Sequence, residues 1–232
     1  MGDPLPPIKF GTSGWRGLIA RDFTFEFLRL AAQGLALTLK AELRRKRSPI
    51  HGKRPLVVIG HDTRFLGHEF ALATAEILQQ AGLEPLLTNR DAPTPVIAFS
   101  IRHKKAIGGV NITASHNPAE YNGIRFRHPD GTGFTDGNTE VRDLFFADEP
   151  PVSVAEGGLS RVPEADVLEL FAAFAAERIG SLAGMRIALD PGNGVGGVIL
   201  ESLFQRFGAT TEIINGEPDG RFPNRPSEPA PK

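Results

Sequence analysis

Hydrophobic positions along the chain alternate between helical spacing and short, wholly apolar runs. After Thr24, which is placed to cap a helix, apolar residues recur every three to four positions as far as Leu39. The run at 56–60 is continuous and is typical of a buried strand. The alternation then repeats, and it predicts helices at 68–80 and 95–103 and strands at 83–88 and 108–113. Strands that alternate with helices indicate an α/β fold with a largely parallel sheet.

A second group of elements follows a stretch at 149–158 that is rich in proline and glycine. Before that stretch, the pattern predicts an antiparallel strand at 124–127, a turn at 129–131 and a closing helix at 136–146. After it, the pattern predicts helices at 164–179 and 195–207 and strands at 185–190 and 210–214. We therefore predict a three-layer α/β/α domain with a mixed sheet at 1–150, followed by part of a second, similar α/β/α domain at 163–232.

Composition and charge exclude several classes of function. The 232 residues include 26 lysines and arginines against 27 aspartates and glutamates, so no electrostatic case exists for nucleic acid or an anionic membrane. The chain has no cysteine, which rules out disulfides and thiolate metal sites. No apolar run is long enough to span a bilayer, and residues 1–9 lack the apolar core of a signal peptide. These features predict a cytoplasmic protein.

The polar stretch at 113–118, Thr-Ala-Ser-His-Asn-Pro, is the first candidate for chemistry. Ser115 comes just after a predicted strand, and ligands in open α/β sheets bind beyond the carboxyl ends of the strands. Adjacent side chains normally point apart, so Ser115 and His116 do not form a hydrolase dyad. Composition alone also fits an ordinary polar turn.

Two glycine-rich segments offer further candidates, each with an alternative. The loop at 10–17 carries Thr12, Ser13 and Arg16 among three glycines, which suits a phosphate but also fits a plain turn before the first helix. The segment at 192–197 matches Gly-x-Gly-x-x-Gly between a strand and a helix, with Glu212 about 20 residues further on. Alone, it would point to an NAD(P)-binding oxidoreductase.

The segment at 60–64, Gly-His-Asp-Thr-Arg, ends the first clear strand. Asp62 can cap a turn there, and Arg64 can pair with Asp62 or bind an anion. The structural interpretation is favoured over the anion site. His61 lacks a second metal ligand at suitable spacing.

Four segments in this order resemble the alpha-D-phosphohexomutases, the phosphoglucomutase and phosphomannomutase family. They are 10–17, 60–64, 109–118 with 121–123, and 190–196. The resemblance covers the family's first domain and the opening of its second. It implies an enzyme that interconverts hexose 1-phosphate and hexose 6-phosphate through a phosphoserine and a bisphosphate intermediate. It also implies a hexose phosphate substrate, a glucose 1,6-bisphosphate-type activator and Mg²⁺.

The resemblance assigns roles to individual residues. Ser115 would carry the phosphoryl group and bind Mg²⁺ through it, and His116 with Asn117 would position the loop and the incoming hydroxyl. Arg16, with Thr12 and Ser13, would lie beside the phosphate. Arg125 stands where many members have lysine; because arginine stays protonated, its role would be electrostatic.

The sequence departs from the family at its far end. Residues 219–224 resemble the segment just upstream of the family's three-aspartate magnesium loop, but that loop is absent from the chain. We therefore expect this fragment to be inactive alone. The non-enzymatic alternative is a paralogue that binds sugar phosphates without turnover.

Overall fold

A computed structural model describes residues 14–45, 54–134 and 161–228. The predicted helix at 136–146 and the proline- and glycine-rich stretch at 149–158 lie outside these residues. The described strands are β1 (Trp15–Leu18), β2 (Leu56–His61), β3 (Glu84–Thr88), β4 (Gly108–Ile112), β5 (Tyr121–Arg127), β6 (Glu164–Ala165), β7 (Arg186–Leu189) and β8 (Thr210–Ile213). The described α-helices are α1 (Phe25–Arg45), α2 (Gly67–Gln80), α3 (Thr94–His103), α4 (Val167–Ala176) and α5 (Leu200–Arg206).

The larger sheet has six strands in the order β1-β5-β4-β2-β3-β6. Strand β2 pairs in parallel with both β3 and β4, while β5 runs antiparallel to β4 and to β1. The sheet is therefore mixed, as predicted. Because β2 and β4 are adjacent and parallel, the segments that follow them begin at the same end of the sheet. Asp62 therefore comes to lie beside Thr113.

Helices cover both faces of this sheet, which gives the predicted three layers. Val57 and Ile59 point into a core under α1 and α2, whereas Val58 between them points to the opposite face under α3. Thr24 caps α1 as predicted, because its Oγ1 accepts the N–H of Phe27 at 3.3 Å. The apolar residues predicted from helical spacing in α1 are buried.

The second unit starts differently from the prediction. Glu164 and Ala165 were expected in a helix but form β6, which adds to the larger sheet beside β3. The helix begins only at Val167, because the Asp166 carboxylate accepts the N–H of Glu169 at 3.0 Å and caps it there. Helix α4 then packs on α3 through an aromatic contact, with the Phe99 and Phe174 ring centroids 4.5 Å apart.

The predicted helix at 195–207 is also interrupted. Val195–Val198 forms a 3₁₀ turn, and α5 begins at Leu200. Two consecutive glycines, Gly196 and Gly197, explain this because glycine is among the poorest helix formers. Strands β7 and β8 pair in parallel, as predicted. None of the described helices is long and apolar enough to cross a bilayer.

Candidate active site

Ser115 lies just beyond the end of β4, with an exposed side chain and a left-handed backbone. Its φ is 58°, a conformation that residues other than glycine adopt infrequently. Its N–H donates to Thr113 Oγ1 at 2.9 Å, which tightens the turn from two residues upstream. Within the described part of the chain, no hydrogen bond occupies Ser115 Oγ. The fold therefore constrains the backbone of this serine and leaves its hydroxyl available.

A partly buried carboxylate, that of Asp62, supports this turn. Thr113 Oγ1 donates to Asp62 Oδ2 at 2.6 Å, and the N–H of Arg64 donates to Asp62 Oδ1 at 3.0 Å. The second bond confirms that Asp62 caps a turn. Burial raises the pKa of Asp62, while the hydrogen bond from Thr113 and the nearby Arg64 charge oppose that rise.

The side chain of Arg64 sits inside the Ser115 loop. Its Nη1 donates to the carbonyls of Pro118 at 2.6 Å and Tyr121 at 2.9 Å. Its Nη2 donates to the carbonyls of Ser115 at 3.0 Å and Asn117 at 2.6 Å. The favoured structural interpretation of Arg64 is correct, and its Nε lies 3.3 Å from an Asp62 oxygen. The four carbonyl contacts had no signal in the sequence, because they link residues more than fifty positions apart.

Arg16 approaches the same loop from β1. Its Nη1 donates to Asn117 Oδ1 at 2.9 Å, so two of the predicted site residues are in direct contact. Thr12 and Ser13, predicted beside Arg16, lie outside the described residues.

Arg125 projects from β5 on the same side as Arg16. Arg16 pairs in register with Gly123, and an added Cβ on Gly123 would lie 3.0 Å from Arg16 Cγ. Likewise, an added Cβ on Gly14 would lie 2.9 Å from Arg125 Cγ. Each glycine thus makes room for the stem of the arginine opposite. Burial, and after it the charge of Arg16, lower the pKa of Arg125. Two guanidinium groups this close form a positive pair that favours an anion.

His116 extends from the loop toward the second unit. Its Nε2 lies 3.4 Å from a Glu228 oxygen, with both side chains about half exposed. The hydroxyl of Ser227 donates to the carbonyls of His116 at 2.8 Å and Asn117 at 2.7 Å. Residues 227 and 228 are therefore in contact with the Ser115 loop.

A cleft of about 420 Å³ opens beside Ser115, between the strand ends of the larger sheet and the second unit. Ser115, His116 and Asp62 line one side, and Arg225 with Glu228 lines the other. Its volume falls within the range of small-molecule sites. Arg16 and Arg125 do not line this cleft, and Arg16 reaches the loop from its β1 side instead.

In the glycine turn at 192–197, other groups of the chain bond to backbone amides and occupy the space beside Gly192. The N–H of Gly192 donates to Asp190 Oδ1 at 2.9 Å, and the N–H of Asn193 donates to the carbonyl of Asn215 at 2.8 Å. The Arg225 guanidinium packs against Gly192 where a side chain would otherwise stand. Because these amides and this space are already taken, the dinucleotide alternative does not fit the geometry.

The side chains beside Ser115 do not by themselves form a binding site for magnesium. Within the described residues, no three histidine, aspartate or glutamate side chains converge to hold a metal ion. Asp62 is bonded to Thr113, and Glu228 is paired with His116. The ion that the resemblance implies would therefore need carboxylates from elsewhere, and we assign no chemical step to it.

Known proteins match this chain over nearly its whole length. Its sequence is 32% identical over 224 residues to a phosphoglucomutase/phosphomannomutase of Thermococcus kodakarensis, covering 95% of this chain and 47% of that protein. It is 36% identical over 221 residues to a phosphoglucosamine mutase of Deinococcus radiodurans, covering 93% and 47%. The chain thus spans about half the length of these curated relatives.

A solved structure and two family models agree with these relatives. A crystal structure from Thermus thermophilus, titled as a phosphomannomutase, superposes with a TM-score of 0.79 at 31% identity, covering 94% of this chain and 48% of that one. The family model "Phosphoglucomutase/phosphomannomutase, alpha/beta/alpha domain I" matches residues 7–150, and the model for domain II of the same family matches residues 168–232. The chain therefore belongs to the phosphoglucomutase/phosphomannomutase family of hexose phosphate mutases.

Proposed function

We propose that this chain is the N-terminal half of a mutase that interconverts hexose 1-phosphate and hexose 6-phosphate, with Ser115 as the phosphoryl carrier. The observation that carries the proposal is the exposed Ser115 hydroxyl on a backbone held left-handed by buried groups. This combination suits a phosphoryl carrier, because phosphoryl transfer depends on positioning and charge stabilisation more than on covalent chemistry by the protein.

In the proposed reaction, the enzyme begins and ends each cycle with a phosphoryl group on Ser115. A hydroxyl oxygen of the sugar monophosphate bonds to phosphorus as the bond to Ser115 Oγ breaks. The proton released by that hydroxyl is balanced by one taken up at Ser115 Oγ. The resulting bisphosphate then turns round, and its other phosphoryl group returns to Ser115. A glucose 1,6-bisphosphate-type activator would phosphorylate the free serine by the second of these steps.

Four further side chains would assist the transfer. Arg16 and Arg125 project from the same face of β1 and β5 and place two positive charges there, one of them in contact with Asn117 of the loop. Asn117 is held by Arg16 and would fix the loop's orientation. His116, which stands at the cleft, would position the incoming hydroxyl.

We propose that turnover requires the other half of the mutase length. The chain spans about half of its curated relatives, so sugar recognition and the magnesium carboxylates would come from residues beyond it. The purified 232-residue chain should therefore show no mutase activity above a Ser115→Ala control. Turnover by the chain alone would contradict this part of the proposal.

A mutase assay on the full-length protein tests the central assignment. Ser115→Ala should abolish conversion of hexose 1-phosphate, because no other group would carry the phosphoryl. Ser202→Ala is the matched control: that serine is exposed and bonds only to the carbonyl of Ile199 at 3.1 Å, so activity should be unchanged. Full activity of Ser115→Ala would overturn the proposal. Sugar-phosphate binding without turnover would instead favour the non-catalytic paralogue.

A further inference from the structure

The Arg64 side chain holds the Ser115 loop through four hydrogen bonds to its carbonyls. Only 3% of the residue is exposed. An arginine side chain has five N–H donors in a fixed plane. Here four of them donate to loop carbonyls at 2.6–3.0 Å, and the fifth, on Nε, lies beside the Asp62 carboxylate. The loop thus wraps around a single rigid group.

These contacts also set the orientation of the loop. Carbonyl oxygens that point inward to the guanidinium cannot point at the Ser115 Oγ side, where a phosphoryl group would be repelled by them. The same contacts hold the carbonyl of Ser115 itself, next to its left-handed φ. A lysine has three donors on one flexible point and could not hold four carbonyls in one plane.

The second unit packs on the other side of this guanidinium. The Phe222 ring centroid lies 5.0 Å from Arg64 Cζ, which is a cation–π distance. Gly220 permits this approach, since an added Cβ would lie only 2.8 Å from Arg64 Cα. The carbonyl of Asn117 accepts from both Arg64 Nη2 and Ser227 Oγ. The segment 220–227 therefore contacts both Arg64 and the loop that it holds.

We propose that Arg64 is a positioning residue for phosphoryl transfer at Ser115, and that Phe222 of the second unit holds its guanidinium in place. The inference rests on the proposed function, because it concerns the rate at which Ser115 gains and loses its phosphoryl group. It assigns to Arg64 an effect on that rate through loop geometry, with no contact to the sugar.

The test compares two buried arginines in the full-length protein. Arg64→Lys keeps the charge and removes the planar fork. Arg127→Lys does the same at a second buried arginine, whose Nη1 donates to the carbonyl of Gly131 at 2.7 Å and whose Nε donates to Asn111 Oδ1 at 3.2 Å. Among the described residues, no hydrogen bond joins Arg127 to the Ser115 loop. The readouts are the rate of Ser115 phosphorylation by labelled glucose 1,6-bisphosphate, KM for hexose phosphate, and the unfolding midpoint.

We expect Arg64→Lys to slow Ser115 phosphorylation roughly 10- to 100-fold, the size of effect that small misplacements of reacting groups produce. KM should change little, and the drop in unfolding midpoint should resemble that of Arg127→Lys, whose phosphorylation rate stays near wild type. A wild-type rate for Arg64→Lys, or an equal slowing in both variants, would overturn the inference alone. Absence of label from wild-type Ser115 would overturn the proposed function as well.

A second variant keeps the inference testable if Arg64→Lys does not fold. Phe222→Leu leaves every carbonyl contact of Arg64 in place and removes the aromatic face beside its guanidinium; it also changes one residue that lines the cleft. One cation–π contact is weaker than the four carbonyl contacts together, so we expect a smaller slowing of Ser115 phosphorylation, roughly 2- to 10-fold. An unchanged phosphorylation rate would contradict the role given to Phe222 and, with it, the coupling between the two units.

Discussion

The Ser115 loop and the glycine turn at 192–197 both follow a strand and open toward the same cleft, yet they differ in what their polar groups do. In the glycine turn, the backbone N–H groups of Gly192, Asn193, Gly194 and Gly197 all donate to groups of the turn or of residue 215. In the Ser115 loop, the carbonyls are bonded inward to Arg64, and the hydroxyl is left exposed.

The comparison shows that a binding motif depends on which donors remain free after folding. The glycine turn matches the spacing of a dinucleotide site, but its amides and the space beside Gly192 are used by the chain itself. The Ser115 loop has fewer glycines, and its carbonyls are bonded to the buried Arg64, while Asp62 accepts from the Thr113 hydroxyl. Chemistry is therefore expected at the loop, and a structural role at the turn.

The largest effect should follow from removing the positive pair beside the loop. Arg16→Gln and Arg125→Gln should each lower kcat/KM of the full-length mutase about 100-fold, the scale for losing one group that stabilises transition-state charge. Arg178→Gln is the control, because Arg178 is exposed and stacks on Phe174 away from the site. Steady-state kinetics on the three variants measure this, and equal effects at all three positions would contradict it.

A smaller effect should follow from removing the hydrogen bonds that link Ser115 to Asp62 through the Thr113 hydroxyl. Thr113→Val removes a hydroxyl that donates to the partly buried Asp62 and accepts from the N–H of Ser115. Leaving such groups unbonded costs about 1–3 kcal/mol, which urea unfolding of the chain can measure. Thr38→Val is the matched control: that hydroxyl bonds only within its own helix, to the carbonyl of Gly34. A loss no greater than the control's would show that the Asp62–Thr113 contact is dispensable.

The glycine turn should respond in stability alone. In Gly197→Ala, the added methyl would meet the carbonyl of Gly216, and overpacking of this kind costs about 1–3 kcal/mol. Gly180→Ala should cost nothing measurable, because no atom lies within 4 Å of the added Cβ. Urea midpoints of the two variants give the comparison. Equal midpoints would mean that the turn is not closely packed by residue 216.

The smallest expected effect is that of a dinucleotide. NAD or NADP should leave the unfolding midpoint of the chain unchanged, because a ligand stabilises a fold only if it binds the folded state. Hexose phosphate on the full-length protein is the positive comparison and should raise the midpoint. Saturable protection by NAD would restore a binding role to the glycine turn.

Much of the first unit could be predicted from its hydrophobic pattern, because its helices bury one face each and its central strands are short runs that are buried on both faces. Thr24 as a cap and Ser115 just beyond a strand follow from local patterns. Strand β6 could not be predicted in this way, since two residues are too few to show a period.

The centre of the candidate site was the least predictable part. Arg64 was correctly expected to pair with Asp62, but its four carbonyl partners come from a loop that only the folded sheet brings near. The register of β1 with β5 likewise decides that Arg16 and Arg125 share one side. Tertiary contacts of this kind leave no periodic signal in the sequence, whereas the Thr-Ala-Ser-His-Asn-Pro stretch predicts Ser115 through its resemblance to the family.

The most direct measurement is the location of label after the full-length protein is incubated with glucose 1,6-bisphosphate that carries radioactive phosphate. Peptide mapping should place the label on Ser115, and unlabelled hexose phosphate should chase it into sugar bisphosphate. Label on another residue, together with full activity of Ser115→Ala, would contradict the assignment of Ser115 as the phosphoryl carrier.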